Sequence, residues 1–170
     1  MPNEPIDPAG ITWVRVSPKY ITVRLLGWAA GSLLATALFG LPLVLRLAGV
    51  LPGFPLGLAW LLPAPVVLLA LWRGLLIPRQ VRAIGYAERD EDLLIRRGLF
   101  FQRVMVVPNG RMQYVDVAAG PVERAFGLAP VKLPPASPAP NAAIPGVPAA
   151  EAARLREQLS ARGQARLAGL

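Results

Sequence analysis

Uncharged apolar residues gather in the first half of the chain, and the pattern changes after Arg79. Leu25 to Leu45 is 21 residues without a charge, bounded by Arg24 and Arg46. As a helix it would be about 32 Å long, against a hydrocarbon core of about 30 Å. A second uncharged run, Leu47 to Trp72, opens on the turn-rich Leu51-Pro-Gly-Phe-Pro55, so the spanning part is expected from Leu56 to Trp72, kinked by Pro63 and Pro65. A spanning helix tolerates proline when neighbouring helices satisfy the freed carbonyls. Two readings compete with a membrane hairpin. Core helices of a soluble protein rarely run this long without a charge. A cleaved signal has a shorter apolar region that ends at its small-residue site, whereas here the run continues past Ala35-Thr-Ala37 to Leu45.

Beyond Arg79 the runs are short. Gln80–Ala87, Leu93–Arg97, Val104–Val107 and Met112–Ala118 are rich in Val, Ile, Leu and Tyr, and Glu88–Asp92, Gly98 and Asn109-Gly110 separate them as turns. The spacing predicts antiparallel strands in a barrel or a sandwich rather than a βαβ arrangement. Pro121–Gly127 suits one helical turn, with proline at its start and glycine at its end. Gly127–Leu133 reads as a return to strand. Pro134–Pro148 is proline-rich and linker-like. In Ala149–Arg162 the positions Ala152, Leu155 and Leu159 share one helical face, which predicts a helix capping one end of the strands.

Charge orients the hairpin. Arg15, Lys19 and Arg24 precede the first span, Arg73, Arg79 and Arg82 follow the second, and the connection holds only Arg46. The positive-inside rule therefore places both termini in the cytoplasm. Trp28 and Trp72 sit where interfacial anchors are found, and Gly27-x-x-x-Gly31 is a small-x-x-x-small pattern that permits close helix approach.

Composition narrows the chemistry. There is no Cys and no His, which removes Ser–His and Cys–His catalysis, Cys/His zinc sites, disulfides and imidazole switches. No phosphate-binding or dinucleotide fingerprint occurs, so no catalytic, metal or cofactor-binding residue is assigned. The net charge of +8 is spread along the chain rather than gathered in a polybasic run with interleaved aromatics, which argues against nucleic acid. Glu88–Asp92 lacks the alternating oxygen ligands and glycine of a calcium loop and reads as a solvated turn.

One stretch carries a family resemblance. Pro108 is followed by Arg111-Met-Gln113, Val115-Asp116-Val117, Gly120-Pro121 and Arg124-Ala-Phe126-Gly127-Leu128, in order and at close spacing. This resembles the signature of YdbS-like bacterial membrane proteins. The context agrees through a hairpin at Asp92–Gly98 and an Ile144-Pro145-Gly146 closing segment, over residues 12–162. The resemblance implies a membrane α-helical hairpin followed by an all-β pleckstrin-homology-like barrel with a C-terminal capping helix. It supplies no reaction. Pro134-Pro135 departs from the family's pattern and predicts a short, bulged or edge strand there.

The expected organisation is a cytoplasmic leader (1–24), a two-span hairpin (25–72), a pleckstrin-homology-like domain (79–162) and a tail (163–170). Arg111, Gln113, Asp116 and Arg124 form a candidate polar cluster. Either an Asp116–arginine pair braces the hairpin with Phe126 as a core plug, or the four line a recognition groove. Arg79, Arg82, Arg96, Arg97 and Arg103 are candidates to face an anionic leaflet. The expected role is that of a non-enzymatic, membrane-anchored scaffold binding membrane lipid or a protein partner, including a second copy. The alternative is an accessory subunit that joins a larger complex through its spans.

Overall fold

The computed structural model describes residues 10–108, 116–133 and 143–167. The chain divides into two units. One is Arg24–Pro78; the other joins Met1–Val23 to Arg79–Leu170.

The first unit is helical. Helix α1 runs over Lys19–Leu47, α2 over Leu56–Leu61 and α3 over Pro63–Arg82. Leu62 between α2 and α3 keeps right-handed helical angles, so Leu56–Arg82 acts as one apolar segment. No residue of α1 is buried, and Leu33, Leu38, Leu68 and Leu75 are all exposed. The core helix of a soluble protein would be covered. These surfaces are suited to lipid. Within the described residues nothing lies within 4 Å of a side-chain position at Gly27 or Gly31, so this small-residue face of α1 is uncovered by the chain itself. The ring of Trp28 packs against Gly74, where a methyl group would meet its Cη2 at 2.9 Å.

The second unit holds two antiparallel sheets. The larger has the order β1 (Val14–Arg15), β2 (Gly85–Glu88), β3 (Asp92–Arg97), β4 (Arg103–Pro108). The smaller has the order β5 (Asp116–Val117), β6 (Val131–Lys132), β7 (Ala143–Ile144). Helix α4 (Pro121–Ala125) links β5 to β6, and α5 (Ala149–Leu167) packs on both. Leu93, Leu94 and Ile95 are consecutive and all buried, so both faces of β3 are covered. Leu128, Val131, Ile144, Val147, Leu155 and Leu159 complete the core.

Three expectations change. The sheets do not close into a barrel among the described residues; β1 and β4 are edges of one sheet, β5 and β7 of the other. The strand expected from Gln80 begins only at Gly85, because a helix already nucleated in the apolar segment gains a hydrogen bond for each residue it adds. The leader is also more than an approach to the first span: Val14 and Arg15 pair with Tyr86 and Gly85.

Within the second sheet, the signature residues from Gly120 to Leu128 build the connection between β5 and β6. Pro121 opens α4, where it forfeits no hydrogen bond, and the Gly120 amide donates to the Glu123 carboxylate at 3.0 Å. Gly127 then takes φ +67°, the left-handed angle that ends a helix. The Leu128 amide donates back to the Glu123 carbonyl at 2.9 Å, and the Leu128 side chain enters the core. Gly146, also at φ +67°, packs against the ring of Tyr20, while the Ser17 amide donates to the Gly146 carbonyl at 2.9 Å. The Ile-Pro-Gly segment thus holds the start of α1 against the domain's second sheet region.

Candidate functional site

Strand register sorts the charged residues of the larger sheet by end. Arg15 pairs with Gly85, Gly85 with Arg96, and Arg97 with Arg103. One end therefore carries Arg15, Arg96, Arg97 and Arg103. The opposite end is the β2–β3 turn, with Glu88, Asp90, Glu91 and Asp92 beside a single Arg89. The basic end is also where the chain joins both long apolar helices. From Arg15 it passes through Val16–Pro18 into α1, and from Arg82 at the end of α3 it enters β2 at Gly85. The sheet is polarised along its strands, with the positive end at the membrane connections.

The five candidate arginines are not equivalent. Arg79 and Arg82 are exposed in the last turn of α3, and Arg103 is exposed at the start of β4. Arg96 stacks on Trp13, its guanidinium carbon 4.9 Å from the ring centroid. Arg97 turns inward: its Nη2 donates to the Ala143 carbonyl on β7 and ties the two sheets together. Burial of this guanidinium lowers its pKa, partly offset by Tyr20. Consecutive strand residues point to opposite faces, so an adjacent pair of arginines divides between two roles.

Beyond Gly98 the β3–β4 hairpin ends in Leu99, Phe100, Phe101 and Gln102. Phe100 is 75% exposed and Phe101 89%. Gly98 has φ +108°, and a methyl group there would sit 2.0 Å from the Phe101 carbonyl oxygen, so the tip requires glycine.

The polar cluster is only partly placed. Arg111 and Gln113 lie outside the described residues. Asp116 is exposed on β5, opposite Lys132 in the ladder. Arg124 is exposed on α4 and donates to the Ala119 carbonyl at 3.5 Å, while Phe126 is half-buried. An exposed Asp116 does not bring the uncompensated buried charge that a bracing pair would protect.

A different polar network fastens α5 to β2. The Tyr86 hydroxyl donates to Glu151 Oε1 at 3.0 Å, and Arg154 reaches Glu151 at 2.8 Å through Nε and Glu88 at 2.5 Å through Nη2. Burial first, and the neighbouring Glu151 carboxylate second, push the Tyr86 phenol above its ordinary pKa. The hydrogen bond from Arg154 is the main cause holding Glu151 below the usual carboxylate range. At the acidic turn, Arg162 donates to the Arg89 carbonyl at 3.0 Å. No set of three or more acidic groups is arranged to hold a metal ion among the described residues.

Two apolar helices joined to antiparallel sheets and a C-terminal helix define a membrane protein with a bacterial pleckstrin-homology-like domain. The chain belongs to the bacterial PH domain family, whose family model matches residues 23–163. It is similar to the UPF0699 transmembrane protein YdbS of Bacillus subtilis (strain 168), with 31% identity over 106 residues. That match covers 62% of this chain and 62% of the relative, so the chain spans less than two thirds of the relative's length. No solved structure matches the chain significantly.

Proposed function

We infer that the protein is a non-enzymatic, membrane-anchored scaffold whose domain rests its basic end on the anionic cytoplasmic leaflet. The observation that carries this reading is the register, which gathers Arg15, Arg96 and Arg103 where the chain enters the apolar helices and sends the acidic turn to the other end. Arg79 and Arg82 add to the same end. A negative leaflet attracts the one end and repels the other, which sets an orientation as well as an affinity. Arg97 supports this role indirectly, by fixing the sheet against β7.

A second reading has its own observation. An open apolar groove of about 600 Å³ runs along α1, α2 and α3, lined by Gly40, Leu43, Trp60, Ala64 and Leu68 among others. With Gly27 and Gly31 also uncovered, the hairpin has surface for helices of a larger complex or of a second copy.

The leaflet reading requires both termini in the cytoplasm, because that leaflet carries the anionic lipid. A fluorescent protein fused after Leu170 should fold and fluoresce, and alkaline phosphatase fused there should stay inactive. Active phosphatase would put the domain on the wrong side and end this reading.

A further inference from the structure

We propose that the Phe100–Phe101 tip is an apolar wedge that inserts into the bilayer interface beside the sheet's basic end. Two adjacent aromatic side chains left this open to water are unusual on a domain whose other described aromatics, Trp13, Tyr20, Tyr86 and Phe126, are buried or half-buried. They are not at a frayed terminus. They cap a hairpin whose ladder is paired from Asp92–Pro108 to Arg97–Arg103, over a glycine that nothing larger can replace.

The occupant follows from position and charge. The tip projects from the end of the sheet at which the chain joins both apolar helices, with exposed Arg103 on one flank and Arg96 on the other. Aromatic rings favour the headgroup region, where the ring enters the acyl boundary, and arginine on either side matches the phosphates above it. A protein groove would explain the apolar rings but not the cationic rim or the nearness of the tip to the membrane connections. Within the chain itself, no described residue covers either ring.

This wedge rests on the reading that the basic end meets the leaflet, but adds a depth that electrostatics alone does not give. The chain lacks cysteine, so Phe101→Cys offers one attachment point for an environment-sensitive fluorophore, and Glu91→Cys offers another at the acidic end. Both positions are exposed, so neither label displaces core packing. The full chain is placed in nanodiscs of phosphatidylcholine alone or mixed with phosphatidylglycerol, with doxyl groups on the acyl chains as quenchers. The label at 101 should shift to the blue and be quenched, while the label at 91 does neither. Quenching in both lipid mixtures supports the wedge and removes the need for anionic attraction; quenching with phosphatidylglycerol only supports both. No quenching at 101 overturns the wedge, even if salt-sensitive docking persists. A blue shift without quenching also overturns it, since protein rather than lipid would then cover the tip.

Discussion

Leu155→Ala should destabilise the domain by about 2–5 kcal/mol, the cost of removing a fully buried leucine where the surroundings collapse only partly. Leu155 is 0% exposed and Leu159, one turn on, is 1% exposed; together they are the apolar stripe by which α5 covers β5 and β6. Hydrogen exchange on the full chain in nanodiscs reads this directly, because the core amides of β2 and β3 open with free energies near the global value. Their protection should fall by the same free energy. Leu33→Ala is the control: that side chain is 73% exposed on α1. Unchanged protection in Leu155→Ala would mean that α5 does not contribute to the core.

Gly98→Ala should be the most damaging small substitution in the larger sheet. The φ of +108° costs an L-residue on the order of 1–3 kcal/mol by itself. The added methyl also meets the Phe101 carbonyl oxygen at 2.0 Å, and backbone cannot step aside as a flexible side chain can. The tip must open, so the amides of Arg96–Arg103 should lose protection while α5 retains its own. Gly27→Ala makes the comparison, since nothing lies within 4 Å of that position. Wild-type exchange at the hairpin in Gly98→Ala would contradict the tight turn.

The parts visible in the sequence are those where one physical requirement dominates. Twenty-one uncharged residues between two arginines leave little choice but a long apolar helix, and Leu25–Leu45 falls inside α1. Proline and glycine punctuation located α4, and the 3.6-residue spacing of Ala152, Leu155 and Leu159 located α5 and its buried face. Misses came where several requirements compete. Gln80–Ile84 alternates like a strand, but the helix before it had already been nucleated. Ile11-Thr-Trp-Val-Arg-Val16 carries enough alternation to suggest β1, yet a strand this short gains its stability only from β2, far along the chain.

The candidate site was legible as a group of residues and not as a geometry. Arg96 and Arg97 look alike in sequence, and alternation in a strand says that they part company without saying which turns inward. That depends on β7, which supplies the Ala143 carbonyl from more than forty positions away. Leu99-Phe100-Phe101, an apolar run placed at a glycine turn between arginines, was the available signal for the tip. Asp116 drew attention through its signature, but a short strand at a sheet edge leaves it exposed.

The central claim is that the basic end of the sheet rests on an anionic leaflet. Its most direct test is hydrogen exchange of the full chain in nanodiscs, comparing amides at Arg96–Arg103 with those at Glu88–Asp92, in neutral and in anionic lipid. Anionic lipid should slow exchange at Arg96–Arg103 and leave the acidic turn unchanged, and the added protection should fade as salt shortens the screening length from about 10 Å at 0.1 M. Replacing exposed Arg79, Arg82 and Arg103 by Gln should remove up to about 1 kcal/mol of it for each arginine that reaches the surface. Identical exchange in the two lipids, or protection at the acidic turn instead, would contradict the account.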